Sequence, residues 1–73
     1  MEYNGYRSWN AWNVSLWINN DEGLYRQAVE LVRRHGYKYG ARALHKELEG
    51  QRTPDGAVYN LTCIREAITD ILE

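Results

Sequence analysis

Apolar positions recur at helical spacing in three stretches of the chain. Leu24, Ala28, Leu31 and His35 follow one another by three or four residues, with Tyr25 and Val32 widening the stripe. Arg26, Glu30, Arg33 and Arg34 take the other side, and Glu30 stands four residues from both Arg26 and Arg34. Asp21 is a good N-cap, the cations of Arg33, Arg34 and His35 suit a last turn, and Gly36 suits the position after it. The pattern predicts a helix over 22–35. Tyr37-Lys38-Tyr39-Gly40 reads as a short connection. A second helix is expected over 41–49, with Ala41, Leu44 and Leu48 inward and Gly50 as its stop. Thr53-Pro54-Asp55-Gly56 reads as a tight turn. A last helix starts at Asn60 with the stripe Leu61, Ile64, Ile68, Ile71 and Leu72. Tyr59 and Ile64 have the spacing of a hydrophobic staple across its cap. Cys63 lies off this stripe, which places it at an edge or on the surface.

Residues 8–20 fit two templates. Trp12, Val14, Leu16 and Ile18 alternate with polar Asn13, Ser15 and Asn19, as in a strand broken only by Trp17. Trp9, Trp12 and Leu16 fit a helix capped by Ser8, with Val14, Trp17 and Ile18 extending the apolar surface nearly all round. A strand would need a partner, and only Tyr3–Tyr6 and Ala57–Tyr59 offer themselves; a lone two-stranded ribbon is marginal. Helix is therefore preferred. The expected fold is all-α: three or four short helices in one domain spanning 1–73, with the Trp segment as central element. The alternative is a small α+β fold with a strand at 12–18.

Composition narrows the picture. A chain of 73 residues buries only about 60% of its unfolded surface, so its core is small. It holds three Trp and six Tyr but no Phe. Six of those nine aromatics, Tyr3, Tyr6, Trp9, Trp12, Trp17 and Tyr25, fall in the first third. At least two of the three Trp are expected in the core, since large side chains must fill it. The lone Cys63 forms no intrachain bridge, which points to a reducing, cytoplasmic setting. No run approaches a membrane span or the apolar core of a secretion signal. The net charge of −1 conceals a division into −2 over residues 1–25, +4 over 26–52 and −3 over 53–73.

No constellation carries chemistry. Ser8 and Ser15 have structural readings, and His35 and His45 stand apart, His35 at a helix end where it serves as a cap. One Cys and two scattered His fall short of a zinc set, and no glycine pattern suits phosphate. The expectation is a non-enzymatic protein without metal or cofactor. Arg26, Arg33, Arg34, Lys38 and Arg42 interleaved with Tyr37 and Tyr39 have the composition of a nucleic-acid surface. Against this stand a pI near 6.1 and a poor recognition-helix set of Ala43, His45 and Glu47. Trp and Tyr are also the residues of protein interfaces. Arg26, Arg33, Arg34, Tyr37, Lys38, Tyr39, Arg42 and Trp17 are the candidate partner-binding residues.

Residues 3–25 read Tyr-Asn-Gly-Tyr-x-Ser-x-x-x-Trp-Asn-Val-x-Leu-Trp-Ile-x-Asn-Asp-Glu-Gly-Leu-Tyr. This string resembles the opening of a family of small uncharacterised proteins of phages, prophages, plasmids and archaeal viruses. Tyr6 stands where Trp is common in that family. The resemblance covers about a third of the chain and brings no site residues with it. It implies a mobile-element origin and stoichiometric binding of a host protein or protein complex. The sharpest form of that expectation is an inhibitor of a host defence complex, such as a CRISPR effector. A small helical nucleic-acid-binding regulator is the alternative. A homodimer built on the Trp helix is compatible with both.

Overall fold

A computed structural model describes residues 5–72. Three α-helices account for most of it: α1 (Trp9–Asn20), α2 (Glu22–Glu47) and α3 (Leu61–Leu72). No strand occurs among the described residues, only isolated bridge positions such as the pair Arg52 and Val58, so the all-α reading holds and the strand at 12–18 is excluded. Tyr3 and Glu73 lie outside the described residues.

Local chemistry sets the helix ends. The Ser8 hydroxyl accepts from the Ala11 amide at 3.1 Å, the Asp21 carboxylate from the Leu24 amide at 3.0 Å, and the Asn60 side chain from the Cys63 amide at 2.8 Å. Each satisfies an amide that the first turn leaves without a helical partner. Asp21 is the single residue between α1 and α2, so one helix stops where the next is capped.

α2 is not straight. Gly36 has φ 81 and ψ 176, the one non-helical residue inside it. That conformation belongs essentially to glycine. An unbroken 26-residue helix would run about 39 Å, longer than the molecule's greatest dimension of 35 Å. The two arms, 22–35 and 37–47, instead fold back on each other. A Cβ on Gly40 would sit 3.0 Å from the Leu31 carbonyl oxygen and from the Val32 Cα, tighter than a side chain takes without moving the backbone it meets. Near the open end, the Gln27 amide meets the Glu47 carboxylate. Gly36 thus acts as the expected stop, but the expected connection at 37–40 is the first turn of the second arm. One residue suffices to turn the chain.

The core gathers Ala11, Val14 and Ile18 of α1, Ala28, Ala41 and Leu44 of α2, and Cys63, Ile64, Ala67 and Ile68 of α3, with Leu48, Ala57 and Tyr59 from the connections. α3 makes the broadest contacts, first with α1 and then with α2, so it rather than the Trp helix is the most heavily packed element. α1 turns Ala11, Val14, Ser15 and Ile18 inward, at spacings of three, one and three. That is the opposite choice from the Trp9–Trp12–Leu16 stripe. The indoles lie along the flanks: Trp9 is exposed, and Trp12 and Trp17 are half-buried. No Trp is fully buried, contrary to expectation. Cys63 is buried too, because Asn10 covers it, its side-chain amide donating to Sγ at 3.4 Å.

Candidate functional site

Two parts of the surface hold most of the polar and aromatic side chains. The first is the seam where α1 meets residues 53–58. Asn13, 1% exposed, accepts from the Thr53 hydroxyl at 2.6 Å and donates to Asp55 Oδ2 at 2.9 Å. Trp17 Nε1 donates to that same oxygen at 2.9 Å. Thr53 Oγ1 in turn accepts from the Ala57 amide, and the Gly56 amide closes the turn on the Thr53 carbonyl at 2.8 Å. Asn10 pairs with the backbone of Val58 on both sides: its Oδ1 accepts from the amide at 2.7 Å and its Nδ2 donates to the carbonyl at 2.9 Å. Further along α1, the Tyr6 hydroxyl donates to Asp70 at 2.6 Å, so the Ser15 hydroxyl 2.6 Å away donates to Tyr6. The two donors at Asp55, Asn13 first and then Trp17, favour its charged form and lower its pKa. Burial, then the bond to Asp70, raises that of Tyr6.

These residues form no reactive set. Each polar atom answers another, and the effect is to lock the 53–58 turn and α3 onto α1. Neither Asn10, Asn13, Thr53 nor Asp55 stood out in sequence as a partner of the others. The one available signal was the amide side chains of Asn10 and Asn13, three apart among the apolar residues of α1. Trp17 belongs here as well. It stands one turn before α2 begins, at the opposite end of the α2 hairpin from Gly36.

The second part is the tip of that hairpin. Residues 33–39 are all exposed, without interruption. Arg33, Arg34, Lys38 and Arg42 are cationic, and no carboxylate occurs between 33 and 42. The negative end of the first arm and the positive end of the second meet at Gly36 and offset each other, so the field here is that of the side chains. Tyr39 is 57% exposed, with Lys38 Nζ 5.6 Å and Arg42 Cζ 5.7 Å from its ring centroid. Such contacts hold the cations beside the ring at about 0.5–1 kcal/mol each. Tyr37 donates its hydroxyl to the Leu72 carbonyl at 3.0 Å and ties the tip to the end of α3. Arg34 pairs with Glu30 at 3.3 Å, whereas Arg33, Lys38 and Arg42 pair with no carboxylate among the described residues. The structure thus brings together Arg33, Arg34, Tyr37, Lys38, Tyr39 and Arg42. Arg26 sits two turns nearer the base and pairs with Glu22 at 3.4 Å rather than with Glu30.

A shallow groove of about 650 Å³ runs along the outside of α3, lined by Tyr6, Thr62, Arg65 and Thr69 among others. Its two carboxylates are engaged, Glu66 by Arg7 at 3.2 Å and Asp70 by Tyr6. Among the described residues no three His, Cys, Asp or Glu side chains are grouped to hold a metal ion. No described helix is long and apolar enough to cross a membrane.

The fold and surface define a small all-α protein with a cationic, aromatic helical tip. The chain belongs to a family of unknown function, DUF7249, whose model matches residues 1–73. No curated protein and no solved structure matches it.

Proposed function

We propose that this protein is a stoichiometric, non-enzymatic binding module that presents the tip of α2 to an acidic surface of a partner protein. One observation carries the reading. The run 33–39 is wholly exposed and, with Arg42, contributes four cations to a stretch without a carboxylate. Elsewhere the polar side chains of the seam are taken up within the fold. A convex point with a half-exposed ring fits a partner's concavity, and Tyr and Arg are the side chains that concentrate binding energy when buried there. The resemblance of residues 3–25 to proteins of phages, plasmids and archaeal viruses supports a mobile-element setting. In that setting the partner is a host protein complex in the cytoplasm, and its sharpest form is a defence complex such as a CRISPR effector. The buried Cys63 thiol suits that reducing compartment.

The ring of Tyr39 between two cations also favours a second reading, a nucleic-acid-binding regulator, because bases stack on such rings while phosphates meet the cations. Capture of partners on tagged protein, with and without nuclease, separates the two. The expected result is a nuclease-resistant protein partner, lost on reversal of Arg33, Arg34, Lys38 and Arg42 to Glu. Retention by the reversed variant would remove the tip from the interface. Steeply salt-dependent DNA or RNA binding with no protein partner would favour the second reading.

A further inference from the structure

We infer that the α2 hairpin can open at Gly36 and exchange its second arm, together with the turn and α3 that follow it, with a second copy of this chain. The hinge is a single residue, and it is sterically free: Gly36 is exposed, and nothing lies within 4 Å of where its Cβ would stand. The packing around Gly36 does not impose its φ of 81 and ψ of 176; the contacts of the arms on either side do. Rotation of this residue into helical dihedrals makes α2 one continuous helix, about 39 Å long. It also gives the amides that open the second arm their helical acceptors.

Opening uncovers the bed of the second arm. Ala41, Leu44 and Leu48 leave the first arm, whose Leu31 and Val32 backbone loses Gly40, and the 53–58 turn and α3, which follow the second arm in the chain, leave α1 with it. The Gly40 contact is so close that a side chain in its place would push the arms apart. The sequence of a second copy supplies the same glycine and the same three apolar residues in register. Every contact made within one copy then recurs between two, including that of Gln27 with Glu47. This self-complementarity identifies the occupant as a second copy.

The exchange has a built-in opponent. In a two-fold swapped dimer the two hinges lie near each other, and Arg33, Arg34, Lys38 and Arg42 of both copies gather there. Their repulsion favours the closed monomer, and salt weakens it as the screening length falls from about 10 Å at 0.1 M to about 3 Å at 1 M. The swapped form also straightens the tip and loses its present shape, so the monomer is the form that presents it. The inference stands whether or not the tip binds a partner.

The test measures the mass of the full chain by light scattering at matched protein concentrations. The dimer fraction is expected to rise between about 0.1 M and 1 M salt. In Gly36→Ala the Gly-only conformation is costly and the helical one easy, so the dimer dissociation constant is expected to fall about tenfold or more. Connectivity is read by mixing a Gln27→Cys chain with a Glu47→Cys chain, refolding them together and adding a short bismaleimide. The unsubstituted chain, with only the buried Cys63, is the control. Cross-linking between the two variants in the dimer supports the exchange. A Gly36→Ala chain that stays monomeric with a lower Tm overturns it, as does a dimer without that cross-link. If Gly36→Ala does not fold, the unsubstituted hinge decides: Gln27→Cys and Glu47→Cys chains refolded together in high salt must cross-link.

Discussion

The α1 seam and the α2 tip draw on a similar stock of side chains and use it in opposite ways. At the seam, Asn10, Asn13, Trp17, Thr53 and Asp55 satisfy one another, and little is left to offer a partner. At the tip, Arg33, Lys38, Tyr39 and Arg42 point away from the body, and their only described contacts are those around the Tyr39 ring. Both are rich in polar and aromatic residues, so composition does not tell them apart. Reach does. The seam residues meet partners about forty positions away in sequence, whereas at the tip only Tyr37 does so, through the Leu72 carbonyl, and the cations and Tyr39 have near neighbours. The segment from Tyr6 to Asp21 supplies the α1 side of the seam and the cap of α2. That segment is an architectural one, and the tip proposed to bind lies downstream of it.

The sharpest attack on this contrast is at its buried end. Asn13→Ala strands the Thr53 hydroxyl and removes a donor from Asp55, and it should cost about 2–4 kcal/mol in denaturant unfolding. A loss no larger than that of a surface substitution would show that the seam is decorative. Next comes the pivot between the two regions. Gly40→Ala forces a methyl against the Leu31 and Val32 backbone and should cost about 1–3 kcal/mol by thermal melting. An unchanged Tm would mean that the arms are not held that close.

A smaller effect is expected from acid. Asp55 titrates below the ordinary carboxylate range in the folded chain because of the bonds from Asn13 and Trp17. Its contribution is therefore fully present above the unfolded-state value of about 4 and is lost as pH falls through the depressed folded value. Unfolding curves for Asp55→Asn should be flatter over that acid limb than those of the unsubstituted chain, and parallel limbs would exclude Asp55 as the source. The smallest change in stability belongs to the tip. Arg33→Glu with Arg34→Glu should shift stability by no more than about 0.5 kcal/mol, since the one ion pair lost, Arg34–Glu30, is exposed. Partner binding should meanwhile fall about tenfold or more. A large loss of stability would turn the tip into another structural region and erase the contrast.

Much of the fold is written locally. The Ser8, Asp21 and Asn60 caps, the stop at Gly36, the 53–56 turn and the inward stripes of the second arm and of α3 all follow from residues within a turn of one another. What escaped reading depends on distant partners. α1 carries large apolar residues on nearly every side, so its periodicity could not say which face packs. Packing against α3 and α2 buries the face of Ala11, Val14 and Ile18 and leaves the larger indoles on the flanks. Cys63 looks peripheral on the α3 wheel and is buried because Asn10, 53 positions earlier, lies over it. For the candidate site, the basic and aromatic run at 33–42 was legible as a cluster, since one hairpin keeps it together. That Trp17 sits at the far end, bonded to Asp55, was not, because its place depends on how α1 docks.

The pairing of Asn10 with Val58 has a consequence for solubility. Residues 52 and 58 form a fragment of extended chain with a partner, and Val58 is an exposed β-branched residue at its margin. A free amide and carbonyl there would invite an edge-to-edge encounter with another chain, the first step of uncontrolled assembly. The carboxamide of Asn10 occupies both positions at once and closes that edge with a side chain instead of a strand.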